Sequence, residues 1–142
     1  MKIYIASDHA AFNEKQKLIE HLKENHEIID LGPDSDQRCN YPDYASAVAK
    51  KVQNEGVGIL LCGSGIGVSI VANRYKKIRA ALCRTVEDAK LSREHNDSNI
   101  ICFGARVSAI EDIKKMSDAW LVEEFAGGRH SGRIALFNEL GE

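Results

Sequence analysis

No apolar run in this sequence approaches the roughly 18 residues that a membrane-crossing helix needs, so a helical span is excluded. The apolar opening, Met1 to Ala6, runs at once into Asp8-His9 and is too short for a secretory h-region. Cysteine is sparse and scattered: Cys39, Cys62, Cys83 and Cys102 show no CxxC or zinc-type spacing. Cys83 and Cys102 sit inside apolar runs and are expected to be buried free thiols. With neither a signal segment nor a disulfide framework, the expected location is cytoplasmic. Charge of one sign is also lacking. Lys and Arg number 19 against 21 Asp and Glu, a net of −2, which gives no pull toward nucleic acid or an anionic membrane. No histidines recur at helical ligand spacing, and a metal would need three or four converging ligands, so none is expected. There is no repeat, linker or low-complexity tract, and 142 residues suit one domain over 1–142.

What is present is an alternation. Five apolar stretches read as strands: Lys2–Ala6, Glu27–Leu31, Gly58–Leu61, Arg79–Cys83 and Asn99–Phe103. Helical periodicity falls between them. Tyr44–Glu55 carries Tyr44, Ala45, Val48, Ala49 and Val52 on one face, with Pro42 ahead and Gly56 behind. Ser108-Ala109-Ile110-Glu111 has the form of a capping box opening a helix through Ile113, Ser117, Trp120 and Leu121. A last helix is expected around Ile134, Phe137 and Leu140, after the break at Gly127-Gly128. The predicted fold is α/β: a three-layer α/β/α sandwich on a five-stranded parallel sheet, Rossmann-like.

Ligands of such sheets bind outside the carboxyl ends of the strands. Asp8-His9, the Cys62–Gly67 loop and Arg106 all fall there. In Cys62-Gly63-Ser64-Gly65-Ile66-Gly67 the glycines permit positive φ and close approach, and the N–H groups can cradle negative charge. The spacing fits neither a dinucleotide fingerprint nor a P-loop nor a serine elbow. For the loop alone, a structural turn and an anion cradle remain equally open. A thiol at this position favours thiolate, the form that acts as base or nucleophile. A cysteine phosphatase would place Arg where Val68 stands, so proton transfer beside a stabilised oxyanion is the better reading. His9 and His95 read equally as surface imidazoles, and His21 and His26 receive no role. Arg129 and Arg133, four apart, form either a phosphate-binding pair or a solvated basic patch.

Six segments taken in order resemble the ribose-5-phosphate isomerase type B family, which includes the galactose-6-phosphate isomerase subunits. They are Ser7-Asp8-His9, Asn40-Tyr41-Pro42, Cys62 to Gly67, Ser92 to Asn99, Phe103 to Arg106, and Gly127 to His130. The resemblance implies an aldose–ketose isomerase acting on a small sugar phosphate, ribose 5-phosphate and ribulose 5-phosphate, through an enediolate. Cys62 would carry the proton between C1 and C2, assisted by Ser64. The N–H groups of Gly63, Ser64, Gly65, Ile66 and Gly67, with Asn96, would stabilise the enediolate. His95 would open the furanose ring, Asp8 and Tyr41 would contact sugar oxygens, and His9, Arg129 and Arg133, with Arg106, would hold the phosphate. One branch of the family uses Glu where this chain has Val68, so the chain resembles the cysteine branch. The family further implies no cofactor, and a homodimer or homotetramer with shared active sites. The alternatives are an isomerase of allose 6-phosphate or galactose 6-phosphate, and a non-catalytic phosphosugar sensor.

Overall fold

The structure, a computed structural model, describes residues 1–142. Five strands form one wholly parallel sheet: β1 Lys2–Ser7, β2 Glu27–Asp30, β3 Val57–Cys62, β4 Ala80–Leu82 and β5 Ile100–Gly104. Their spatial order is β2-β1-β3-β5-β4. Every expected strand is present, with ends shifted by a residue or two. The helices are α1 Phe12–Leu22, α2 Tyr41–Val52, α3 Ile66–Ala72, α4 Val86–Glu94, α5 Ile110–Val122 and α6 Ser131–Phe137.

The sheet is covered on both faces because its strands are apolar on both. Side chains alternate across a strand. Ile3, Ile5, Ile59, Leu61, Ile101 and Phe103 join one buried cluster with residues of α1, α4 and α5, Trp120 among them. Tyr4, Ala6, Leu60, Cys62, Ile100 and Cys102 join a second cluster with α2 and α3. Each fully buried large aliphatic side chain contributes roughly 1.5–3 kcal/mol, so both layers are needed to hold the strand ends in register. That register matters for the site: Cys62 at the end of β3 lies beside Gly104 at the end of β5.

Three helix boundaries differ from those expected. α2 begins at Tyr41 rather than Tyr44 and ends at Val52, because Pro42, with fixed φ and no N–H to satisfy, sits inside its first turn. α5 is capped by Ala109, whose side chain makes no capping bond, so Ser108 does not form the expected capping box. Ser108 instead closes a turn, its N–H donating to the Gly104 carbonyl at 2.9 Å. The last helix is preceded by a separate 3-10 turn at Gly128–His130 and stops at Phe137, so Leu140 lies beyond it and is exposed.

Candidate active site

The β3–α3 turn is the most tightly determined part of the site. Gly65 adopts φ +81°, and a Cβ there would come within 2.6 Å of Leu82 Cδ1 and 2.8 Å of the Phe103 backbone. Only glycine meets both demands. The turn brings the Gly65 N–H to Cys62 Sγ at 3.1 Å and the Ile66 N–H to Ser64 Oγ at 3.1 Å. Those two N–H groups are therefore spent within the loop. The N–H groups of Gly63 and Ser64 donate to nothing in the chain. Within the loop Gly65 supports the thiol, and the cleft is lined by Gly63, Ser64 and Gly67 rather than by Gly65 or Ile66.

That cleft, of about 470 Å³, is lined by Asp8, His9, Tyr41, Cys62, Gly63, Ser64, Gly67 and Arg106. Each arrives from a strand end or the start of a helix. Asp8 follows β1, and its carboxylate accepts from the Ala11 N–H at 3.0 Å, capping a 3-10 turn at His9–Ala11. His9 Nδ1 accepts from the Cys39 N–H at 3.3 Å, which places the proton of the neutral ring on Nε2. Tyr41 opens α2 and packs on Gly67, where a Cβ would fall 2.6 Å from its ring. Arg106 sits over Gly63, and its N–H donates to the Gly63 carbonyl at 3.0 Å. Behind this wall the wholly buried Lys15 donates to both oxygens of Asp30, at 2.7 and 2.9 Å, and to the Pro33 carbonyl at 2.8 Å. It thereby ties α1 to the segment that leads to Tyr41.

The remaining candidates lie elsewhere. His95, Asn96, Arg129 and Arg133 line a second cleft together with His130. His95 and Asn96 stand between α4 and β5, at the amino-terminal edge of the sheet, whereas Cys62 stands at the carboxyl edge. The length of β5 separates the two levels, roughly 13 Å at about 3.3 Å per residue. The chain therefore does not bring its own His95 to its own Cys62.

The second cleft is held by a buried polar network. Trp120 Nε1 donates to Ser98 Oγ at 2.7 Å, and Ser98 Oγ and Ser92 Oγ share a bond of 2.8 Å. Arg93 lies over the Trp120 ring and donates to the Ser98 carbonyl at 2.6 Å and the Glu123 carbonyl at 3.4 Å. Arg79 Nε donates to the carbonyl of Asp97 at 2.7 Å, fixing a turn in which Asp97 takes φ +48°. Sequence reasoning assigned nothing to Arg93 or Arg79. It also missed His130, whose ring stacks on His95 with centroids 4.5 Å apart and planes at 19°. Partial desolvation, then the neighbouring His95, Arg129 and Arg133, hold the His130 imidazole below its ordinary range.

All four cysteines are free, and Cys83 and Cys102 are buried as expected. Burial pushes the Cys83 thiol up to about 11 and the Cys102 thiol well above its usual value, so both remain neutral thiols. No group of three or more His, Cys, Asp or Glu side chains is arranged to hold a metal ion, and no helix is long and apolar enough to cross a membrane.

Sheet and clefts together define a class: a parallel α/β protein with a thiol and unspent backbone donors at the carboxyl edge of its sheet. The chain belongs to the Ribose/Galactose Isomerase family, whose model matches residues 3–137. It is 46% identical to ribose-5-phosphate isomerase B of Escherichia coli, over 98% of this chain and 95% of that one. It superposes on ribose-5-phosphate isomerase B of Clostridium thermocellum with a TM-score of 0.94 at 42% identity, covering 98% of this chain and 96% of the other. The Mycoplasma genitalium ribose-5-phosphate isomerase B, solved with bound ribulose-5-phosphate, gives 0.93 at 38% identity, covering 97% and 94%.

Proposed function

We propose that the chain, as one domain over residues 1–142, interconverts ribose 5-phosphate and ribulose 5-phosphate, in a cytoplasmic setting and as a homo-oligomer whose active sites are shared between copies. The observation that carries this reading is the separation of the two clefts. Aldose–ketose isomerisation needs a proton carrier, an oxyanion cradle and a distant phosphate anchor held in one geometry. The first cleft supplies a thiol and free N–H groups but, apart from Arg106 and His9, little cationic charge. The second supplies two arginines and two imidazoles but no cradle. A second copy of the chain, laying its His95–Arg133 cleft against Cys62, makes one complete site from two incomplete ones.

In that site the phosphate binds Arg129 and Arg133 of one copy and His9 Nε2–H of the other, with Arg106 at the boundary. His95 gives a proton to the ring oxygen as the C1–O bond breaks, and the C1 hydroxyl gives up its proton to water, leaving the open aldehyde. Asp8 and Tyr41 meet the freed hydroxyls. Cys62 takes the proton from C2 and returns it to C1, aided by Ser64. The Gly63 and Ser64 N–H groups, with Gly67 and Asn96 at the rim, receive the enediolate charge. The ring C–O cleavage and the proton shifts, C2 to C1 and O2 to O1, leave the sugar's composition and overall oxidation level unchanged, so no cofactor is called on.

Subunit complementation tests the reading. Cys62→Ala and His95→Ala are each expected to be nearly inactive. Hybrids assembled from the two variants regain one intact site per pair, so a random mixture should recover about a quarter of wild-type turnover. Recovery of nothing, with hybrids shown to form, sinks the shared site.

A further inference from the structure

Arg84 follows β4 and is exposed, and its guanidinium Nη2 donates to the carbonyl oxygen of Ser64 at 3.2 Å. That oxygen belongs to the same peptide unit as the Gly65 N–H, the group that donates to Cys62 Sγ at 3.1 Å. In a trans peptide the C=O and N–H point in opposite directions. A cation at one end and the sulfur at the other therefore hold a single peptide plane between them.

The plane has little freedom otherwise. Gly104 lets the Ser64 carbonyl approach so closely that a Cβ would lie 2.5 Å from its oxygen, and Gly65 takes φ +81° where a Cβ would run into Leu82 and the Phe103 backbone. No carboxylate pairs with Arg84 and draws it away. A hydrogen bond to the carbonyl of a peptide strengthens the donation made by its N–H, and a charged donor does so most.

We propose that Arg84 is a positioning residue for Cys62, acting through the Ser64–Gly65 peptide: it orients and polarises that unit so that the Gly65 N–H stabilises the sulfur as an anion. The coupling itself stands on geometry; only its consequence for turnover rests on Cys62 being the proton carrier. The other charged or titratable groups around Cys62 are Asp8 and His9 after β1, Tyr41 in α2, Arg106 after β5 and Cys102, beside Leu60 on the neighbouring strand and in the same buried cluster. An Arg84 substitution leaves all of them in place.

The experiment follows alkylation of Cys62 by iodoacetamide in the full-length protein, read from the mass of the Cys62 peptide between pH 5.5 and 9.5. Arg84→Ala should move the Cys62 profile upward by roughly half to one pH unit, slowing alkylation near neutrality about three- to tenfold. Arg84→Lys, which keeps the charge, should recover much of the loss. Cys39, half-exposed and remote from Arg84 in the fold, should react unchanged, and the thermal midpoint should not move because Arg84 is exposed. An unchanged Cys62 profile in Arg84→Ala overturns the proposal, as does an equal change at Cys39. Turnover separates the two readings: kcat falling in step with alkylation supports both. A shifted profile with kcat intact upholds the coupling and removes Cys62 from the chemistry.

Discussion

The two clefts are built from different materials. Around Cys62 the donors are backbone: two N–H groups without partners, on a turn shaped by a left-handed glycine beneath the cleft and on strand ends fixed by ladder pairing. Around His95 they are side chains: two arginines and a stacked pair of imidazoles, with the turn that carries His95 held by Trp120, Ser98 and Arg93. Backbone donors at a strand end cost nothing to reorganise, which suits charge that appears only at the transition state. Arginine side chains reach farther and match phosphate geometry, which suits a group bound throughout the reaction. In the proposed shared site the first cleft carries the proton transfer at C1 and C2, and the second carries the main phosphate anchor together with the ring-opening imidazole.

The sharpest way to break that division is Cys62→Ala. Removing the proposed proton carrier should lower kcat by roughly 10²–10⁴ while phosphosugar binding survives, as read by steady-state kinetics beside calorimetric titration. A variant that keeps its kcat and loses affinity would reverse the assignment. Next in size is Arg133→Ala. Its expected signature is a fall in kcat/KM of about 10–100-fold, carried mainly by KM, because a phosphate contact made equally in ground and transition states is uniform binding. Equal loss of kcat with KM unchanged would place Arg133 at the reacting carbons instead.

A smaller effect separates the supports of the two clefts. Trp120→Phe deletes the donor to Ser98 Oγ inside a buried network and should cost about 1–3 kcal/mol of folding free energy, measured by urea unfolding. The accompanying loss of activity should leave the alkylation rate of Cys62 unchanged, because the network underlies His95–Asp97 rather than Cys62. A slowed alkylation of Cys62 would mean that the clefts are mechanically coupled within one chain.

The same contrast explains what could be read without a structure. All five strands were legible, because parallel strands buried on both faces are short continuous apolar runs, and the glycine spacing announced the turn after β3. The positions of Asp8, His9, Cys62 and Arg106 around one cleft followed from strand ends alone, whereas Tyr41, at the start of α2, came only from the family resemblance. Helix starts were harder. Pro42 sits within the first turn of α2 rather than ahead of it, and a serine three residues before a glutamate did not cap α5. The second cleft was legible only as a set of residues, since nothing local shows that His130 stacks on His95 across 35 positions. Nor does it show that Lys15, on a helix with exposed neighbours, is buried against Asp30 and Pro33. Such pairings depend on chain crossings that hydropathy does not encode.

The smallest expected effect concerns the stacked imidazoles and tests whether the second cleft is electrostatically distinct. His130 is held below the ordinary histidine range by desolvation first, then by His95, Arg129 and Arg133, with Glu94 opposing. A folded-state value below the unfolded one, about 6.5, means that the unfolded chain takes up a proton first as pH falls. Stability contributed by neutral His130 is therefore complete above that unfolded value. It declines as pH drops through the window between the unfolded and folded values, and levels below it. His26, lowered by burial, acts with the same sign, so the His130 share is isolated by difference. Urea unfolding at pH 7.5 and 5.5 should show a larger acid loss in wild type than in His130→Gln, and the gap should narrow in a His95→Ala background. An acid loss that is larger in the variant would mean that the imidazolium is stabilised where it stacks, and that the cleft's two arginines do not dominate its field.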